Sequence, residues 1–244
     1  MVGYIDSPLN DVQAIVGTVA GTSITYGSEV TLDTDGDNLD SVGIDNVDTD
    51  QAIACFQGTA NDGFCSLLLA SATTTITEQA EVEHEDVNSI SDSFVRSFTT
   101  DQFVVCFTNG TSPADIECTA ATSTGSTMTF GTDVLLQLDG SGGACNSAAS
   151  NFAEQKSNVV ALDVNKVLLL GTIATSTGST CAKACTISGT TMTCGARARV
   201  SDFGQNLWTG ADSYATDRAV AIWDQGGSAS TTQLALISTT ATTT

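Results

Sequence analysis

The motif Phe103-Val-Val-Cys-Phe107 decides how this chain folds, because apolar segments of the same kind return along the sequence at nearly constant intervals. The other copies are Met1-Val-Gly-Tyr-Ile5, Ala52-Ile-Ala-Cys-Phe56, Val167-Leu-Leu-Leu-Gly171 and Ala219-Val-Ala-Ile-Trp223. Successive copies begin 51, 51, 64 and 52 residues apart. A fixed period of this length is the sequence signature of a repeat architecture.

A second marker keeps the same period. Ile24, Ile76, Met128 and Met192 each follow a turn rich in small residues and open an alternating segment, with spacings of 52, 52 and 64 residues. The one long interval indicates an insertion, which the Gly/Ser/Ala-rich stretch 141–155 supplies. The units are therefore predicted at 1–38, 39–88, 89–140, 156–204 and 205–244, within a single repeat domain over residues 1–244.

Each unit reads as four short strands separated by turn residues. In the third unit these strands are predicted at Ser93–Phe98, Phe103–Phe107, Ile116–Ala121 and Met128–Gln137. Four-stranded units of about fifty residues predict an all-β, β-propeller-like array of about five blades. A β-sandwich or a β-solenoid is the alternative, although a sandwich does not require a fixed period.

The two ends are predicted to be incomplete. Met1–Ile5 falls on the second strand of a unit and nothing supplies the first, while the last strand of the fifth unit is due where the sequence stops. Imperfect ring closure, strands from a neighbouring chain, and flanking repeats of the same polypeptide all remain open. Because unpaired strand edges promote association, we expect one of the latter two.

The segments GTVAGTSITYGSEV (17–30), STMTFGTDV (126–134) and NVVALDVNKVLLL (158–170) carry a resemblance to known proteins. They resemble the tandem propeller-like repeats of phage and virus fibre or appendage proteins and of large secreted proteins of aquatic microbes. The resemblance covers nearly the whole chain. It implies a propeller-like fold and a structural or adhesive role.

The eight cysteines are predicted to form four disulfides. Three pairs lie symmetrically about hairpin turns, where opposed residues approach within bonding distance: Cys55–Cys65, Cys106–Cys118 and Cys185–Cys194. Cys145, in the insertion, is left to pair with Cys181. The rival interpretation is a metal site at Cys181-x-x-x-Cys185, but no second cluster of ligands accompanies it and the chain has one histidine.

The acidic segment Asp33-Thr-Asp-Gly-Asp-Asn-Leu-Asp40 is the strongest candidate for a metal site. Alternating carboxylates on a tight turn can converge on a hard cation, so calcium is the one cofactor that the sequence suggests, held by Asp33, Asp35, Asp37 and Asp40. The segment is similar to the calcium loops of the FG-GAP class of propeller repeat. The alternative is a solvated acidic loop, and no cofactor is required.

Charge limits the partners of this chain. With 28 acidic residues against 7 basic ones the net charge is −21, so the basic surface that nucleic acid needs is missing. No apolar stretch is long enough to span a membrane. The acidic surface is explained by solubility, with a cation-loaded surface as the alternative.

A few other residues have side chains that could serve a chemical role. Asn109-Gly-Thr111 is a glycosylation sequon on a predicted hairpin tip, and His84, within an acidic run, is expected to be a surface residue. Trp208, Tyr214 and Trp223 could stack on a sugar, although aromatic residues more often fill a core. No nucleophile elbow, phosphate-binding loop or metalloprotease helix is present.

These observations predict a non-enzymatic structural or adhesive surface module, a subunit or segment of an extracellular appendage, fibre or virion. Self-association or flanking repeats are the expected partners, and an extracellular or virion-surface location is expected from the cysteines. A glycan-binding, lectin-type propeller is the alternative, although a lectin should carry one aromatic pocket per blade. A glycoside-cleaving enzyme is a third and weaker hypothesis.

Overall fold

The structure, a computed structural model, describes residues 1–6, 11–33, 42–58, 61–71, 75–85, 90–109, 115–136, 156–172, 180–196, 198–200, 206–225 and 231–239. These residues form antiparallel β-sheets and their turns, with no α-helix among them. Consequently the described part of the chain has no helix that could cross a membrane.

Five sheets follow one another along the chain, and each lies within one of the predicted units. Sheet 1 contains β1 (Val2–Asp6), β2 (Asp11–Ile15) and β5 (Val30–Asp33), in the order β1-β2-β5, and a two-stranded ribbon of β3 (Gly17–Ala20) and β4 (Ser23–Tyr26) extends it. Sheet 2 has the order β6-β7-β8-β9: β6 (Val42–Asn46), β7 (Gln51–Gln57), β8 (Gly63–Ser71) and β9 (Thr75–Glu85).

Sheets 3 and 4 share one layout, in which the last strand is split in two. Sheet 3 contains β10 (Ile90–Ser97), β11 (Gln102–Asn109), β12 (Asp115–Thr124), β13 (Thr127–Phe130) and β14 (Val134–Leu135). Sheet 4 contains β15 (Lys156–Asp163), β16 (Lys166–Thr172), β17 (Thr180–Ser188), β18 (Thr191–Cys194) and β19 (Ala198–Arg199). Sheet 5 has three strands in the order β20 (Asn206–Ala215), β21 (Arg218–Gln225) and β22 (Thr231–Ser238).

The small-residue turns before the second marker have a common backbone geometry. Gly21, Gly125 and Gly189 have φ of 62°, 61° and 59°, and each is the first residue of a two-residue hairpin loop. A positive φ at the first loop residue is characteristic of the two-residue hairpin turns whose twist matches that of the flanking strands. Glycine is favoured at this position because it adopts a positive φ readily. The equal geometry shows why these glycines recur with the period of the repeat.

The Thr-Asp segments before the apolar motif also have a repeated structural role. The carbonyl oxygens of Asp50, Asp101 and Asp217 accept hydrogen bonds from the backbone N–H groups of Ala70, Ser123 and Thr239, at distances of 2.7, 2.8 and 2.8 Å. In sheet 4 the carbonyl of Asn165 accepts from Ile187 N–H in the same way, at 2.9 Å. The segment therefore ties the turn before the second strand to the third strand.

The core consists of four apolar layers, one between each sheet and the next. Sheets 1 and 2 enclose Val12 and Phe56, sheets 2 and 3 enclose Ile53 and Phe107, and the next two layers are built in the same way. Residues of each middle strand alternate between two layers, as the period of a strand requires. Sheets 2, 3 and 4 are thus buried on both faces, which explains the unbroken apolar motifs.

The first strands of sheets 2 to 5 lie side by side in chain order. Gly43 permits β6 and β10 to approach closely, since a Cβ there would lie 2.8 Å from Ser93 O on the neighbouring strand. Arg96 of sheet 3 contacts Asp45 of sheet 2 at 3.8 Å and Asp212 of sheet 5 at 3.4 Å. Sheet 4 follows sheet 3 and precedes sheet 5, and facing sheets are about 10 Å apart. A direct contact between sheets 3 and 5 therefore requires the sheets to converge at their first strands and to diverge away from them.

Three of the four predicted disulfides are present: Cys55–Cys65, Cys106–Cys118 and Cys185–Cys194. Each joins directly opposed residues of neighbouring strands. Cys181 is also disulfide-bonded, which excludes it as a metal ligand, and its predicted partner Cys145 lies outside the described residues together with the insertion 141–155. Disulfides of this kind persist in an oxidising environment.

Two details of the repeat prediction are wrong. The last strand of the third unit is interrupted at Gly131–Asp133 rather than continuous from Met128, because Gly131 N–H bonds to Ala120 O and the chain then rejoins β12 further along. In sheet 1, Gly3 pairs with Ala14 where Cys106 pairs with Cys118, so Gly3 rather than Tyr4 occupies the cysteine position. The paired residues are 11 positions apart in sheet 1, against 10 for the cysteines of sheet 2 and 12 for those of sheet 3.

Candidate functional site

The predicted calcium loop is described only at its first residue. Asp33 is the last residue of β5, and its carboxylate lies against Gly58 of sheet 2, since a Cβ at Gly58 would be 3.0 Å from Asp33 Oδ2. Asp35, Asp37 and Asp40 lie outside the described residues. The calcium site therefore stays a prediction.

Strand geometry separates two of the three predicted sugar-binding aromatics. Trp208 and Tyr214 lie on β20, six positions apart, which corresponds to roughly 20 Å of extended strand. Trp223 lies on β21 opposite Thr209, close in register to Trp208, and the side chains of both tryptophans lie outside the described part of the structure. Tyr214 is 54% exposed and stands apart from that end of the sheet.

Asn109 is not on an exposed hairpin tip. It is the last residue of β11, it is only 8% exposed, and its Nδ2 donates a hydrogen bond to Glu117 Oε1 at 3.5 Å. The nitrogen that a glycan would occupy is thus turned into the space between two strands. Gly110 and Thr111 of the sequon lie outside the described residues, so glycosylation at Asn109 stays a prediction.

The expectation that His84 is a surface residue is wrong. Its ring lies 5.1 Å from that of Phe107 and 5.6 Å from that of Phe130, between sheets 2 and 3. Both ring nitrogens are buried, and neither has a hydrogen-bond partner among the described residues. Burial lowers the pKa of His84 to about 4, so the ring is neutral at pH 7. The acidic run around His84 suggested exposure, but alternation along β9 turns His84 toward sheet 3 and Glu83 toward solvent.

A carboxylate group that the sequence did not indicate spans the same two sheets. One oxygen each of Glu85, Glu117 and Asp133 lie within 4.8 Å of one another. Burial raises the pKa of Asp133, and hydrogen bonding with Glu85 opposes that rise. These residues could hold a proton or a hard cation in common. They are far apart in sequence, and the packing of sheet 2 on sheet 3 brings them together.

Exposed apolar surfaces lie at both ends of the stack among the described residues. We call the face of each sheet that packs on the following sheet its forward face, and the opposite face its rear face. On the forward faces of sheets 2, 3 and 4, two cross-strand pairs lie at equivalent positions, and all of their residues are buried except Ala184, which is half-buried. They are Ile53/Leu67 with Cys55/Cys65, Val104/Ala120 with Cys106/Cys118, and Leu168/Ala184 with Leu170/Ala182.

Sheet 5 presents the same pairs without a covering sheet. Val220 lies opposite Leu236 and Ile222 opposite Leu234, in the register of the buried pairs. Ile222, Leu234 and Leu236 are 44%, 63% and 70% exposed, whereas Cys55, Cys106 and Leu170, which are equivalent to Ile222, are fully buried. The forward face of sheet 5 is therefore an apolar layer of the internal type, open to solvent.

The rear face of sheet 1 is exposed in the complementary way. Ile76, Met128 and Met192 are 8%, 5% and 7% exposed against the preceding sheets, while the equivalent Ile24 is 55% exposed. Val2, Val19 and Tyr26 lie on this same face and are 50%, 69% and 57% exposed. Because both terminal faces meet solvent, the five sheets do not close into a ring in the described structure.

The sequence matches no protein-family model and no characterised protein closely enough to assign a family.

Proposed function

We propose that this chain is a non-enzymatic structural or adhesive surface module, a subunit or segment of an extracellular appendage, fibre or virion. One observation carries the proposal: the positions that recur from sheet to sheet among the described residues serve the fold itself, as apolar or disulfide-bonded packing residues, turn glycines and backbone hydrogen-bond acceptors. Among the described residues, the Glu85–Glu117–Asp133 group is not repeated between the other sheets. A repeated binding site, as in a lectin, would instead repeat polar or aromatic residues.

The finer architecture that we propose is a β-propeller-like array of five blades, of which the first and last are incomplete. The fan of first strands and the reach of Arg96 to both Asp45 and Asp212 support a radial arrangement. Sheet 1 has counterparts of strands two to four, and sheet 5 has counterparts of strands one to three, among the described residues.

An extracellular or virion-surface location is the setting in which these features make sense together. The disulfides require an oxidising environment, and the net charge of −21 keeps an assembly of identical acidic chains dispersed. The same charge makes nucleic acid an unsuitable partner, and the module needs no cofactor, although calcium at Asp33–Asp40 would neutralise part of it.

Immunogold electron microscopy tests this proposal. Antibodies against the purified chain should label appendages or particle surfaces in the source material, and purified chain should bind no sugar on a glycan array. Labelling confined to the cell interior would contradict the structural role. Selective binding to one glycan class, lost in a Trp223→Ala variant that keeps its thermal stability, would favour the glycan-binding alternative.

A further inference from the structure

We propose that copies of this chain associate head to tail, with the forward face of sheet 5 packing on the rear face of sheet 1 of a second copy. This inference deepens the proposed structural role and rests on it in part, because it names the surface and the partner. It concerns the broad faces of the terminal sheets rather than their strand edges.

A second copy of this chain is the partner that we infer, because the two exposed faces continue the packing that joins successive sheets within the chain. Four successive sheet pairs are joined by one kind of contact, a forward face on a rear face. Both halves of a fifth contact are present, and neither half is covered by any of the described residues. A second copy supplies each missing half with the register and residue types that the internal layers already use.

The distribution of exposed apolar side chains supports this reading. Ten large hydrophobic residues are exposed in the described structure, and seven of them lie on the two terminal faces. Those seven are Val2, Val19, Ile24 and Tyr26 on sheet 1 and Ile222, Leu234 and Leu236 on sheet 5. Concentrated apolar surface on a soluble protein marks an interaction site, whereas single exposed residues do not.

The second strands provide an independent comparison. Ala54, Val105, Leu169 and Ala221 occupy the position equivalent to Val2, and all four are fully buried against the preceding sheet. Val2, at 50% exposed, is the member of this series without a preceding sheet. A contact of this heterologous type extends into a filament or closes into a ring, depending on the rotation between copies.

Two single variants each alter one half of the proposed interface. Leu234→Lys places a charge on the sheet 5 face and Ile24→Lys places one on the sheet 1 face, and both side chains are exposed in the isolated chain. Val164→Lys, in the turn between β15 and β16, is the matched control because Val164 is 64% exposed and Leu234 is 63% exposed. All three variants change the net charge equally.

Sedimentation velocity over a concentration series, at about 0.15 M salt to screen the acidic surfaces, measures the association. We expect wild type and Val164→Lys to associate beyond the 24.9 kDa monomer as concentration rises. Each face variant alone should associate at least about 100-fold more weakly, because a lysine ammonium would be buried without a partner. A 1:1 mixture of the two face variants should form dimers and stop there, through the one intact pair of faces.

Each other result overturns the proposal. A wild-type chain that stays monomeric at every concentration shows that the faces do not pair, while surface labelling by immunogold would leave the structural role standing. Dimers of Ile24→Lys alone would show that two sheet 5 faces pair with each other. Association that persists in both variants places the contact elsewhere. If either variant fails to fold, Leu236→Lys and Val2→Lys test the same two faces.

Discussion

The environment of each residue in this structure depends on the layer that its side chain enters. His84 alternates inward from an acidic strand, so its ring lies between Phe107 and Phe130 with both nitrogens unpaired among the described residues. A buried neutral histidine must take up a proton when the chain unfolds below its ordinary pKa. Since folding lowers the pKa of His84 from 6.5 to about 4, the chain loses stability as pH falls through this window.

Replacement of His84 isolates that effect. The difference in the free energy of unfolding between His84→Phe and wild type should shift by roughly 3 kcal/mol in favour of the variant as the pH is lowered from 7 to 4. Each pKa unit corresponds to about 1.4 kcal/mol. Urea titrations at a series of pH values measure the difference. Met128→Leu, in the same core and without a titrating group, should keep a constant gap to wild type. A constant gap for His84→Phe would contradict the burial of the ring.

The calcium prediction also belongs to individual residues. If the Asp33–Asp40 loop binds calcium, a chelator should lower the melting temperature of the chain, because binding to the folded state alone stabilises it. Asp35→Ala should remove this sensitivity, while Asp11→Ala, an acidic residue of β2 outside the loop, should keep it. Chelator-independent melting of the wild-type chain would leave the loop as solvated charge.

At the scale of the element, the structure repeats one hairpin with exchangeable core pairs. Cys106 and Cys118 in sheet 3 occupy the positions that Leu170 and Ala182 hold in sheet 4. Both pairs are buried on a forward face. The disulfide is thus one of several fillings of a common site rather than a requirement of the fold.

A double substitution tests this equivalence. Cys106→Leu with Cys118→Ala copies the pair of sheet 4, and we expect the variant to fold with a loss of about 3 kcal/mol, the value for closing a loop of this length in the unfolded chain. Thermal unfolding and far-ultraviolet circular dichroism measure the result. The single variant Cys106→Ala leaves a thiol and a cavity and should lose more. A double variant that fails to fold would show that the sites are not equivalent.

The strands and cysteine pairs could be predicted because they depend on neighbouring residues and on a period that the sequence displays. Phe103–Phe107 is apolar throughout since sheet 3 is covered on both faces, and Cys185 and Cys194 are symmetric about a glycine turn. Strand registers were harder to predict: the pairing in sheet 1 puts Gly3, rather than Tyr4, at the cysteine position, and the apolar pattern alone does not determine that pairing. The Glu85–Glu117–Asp133 group could not be predicted, because it depends on how two sheets stack.

At the scale of the whole molecule, the described residues form a stack of five sheets that is open at both ends. Every internal layer joins a forward face to a rear face, and the two terminal faces keep the same apolar character while exposed to solvent. Apolar burial is the main favourable term in association, so the exposed faces at the two ends support the proposed association of copies. This is what a subunit of a fibre or surface lattice requires.

Electron microscopy of the concentrated wild-type chain tests this central claim most directly. We predict end-to-end assemblies, either filaments or rings of several copies, in which each copy appears as an open fan of five sheets. Separate particles in which one chain closes into a complete ring of blades would contradict it, because the terminal faces would then be satisfied within a single copy.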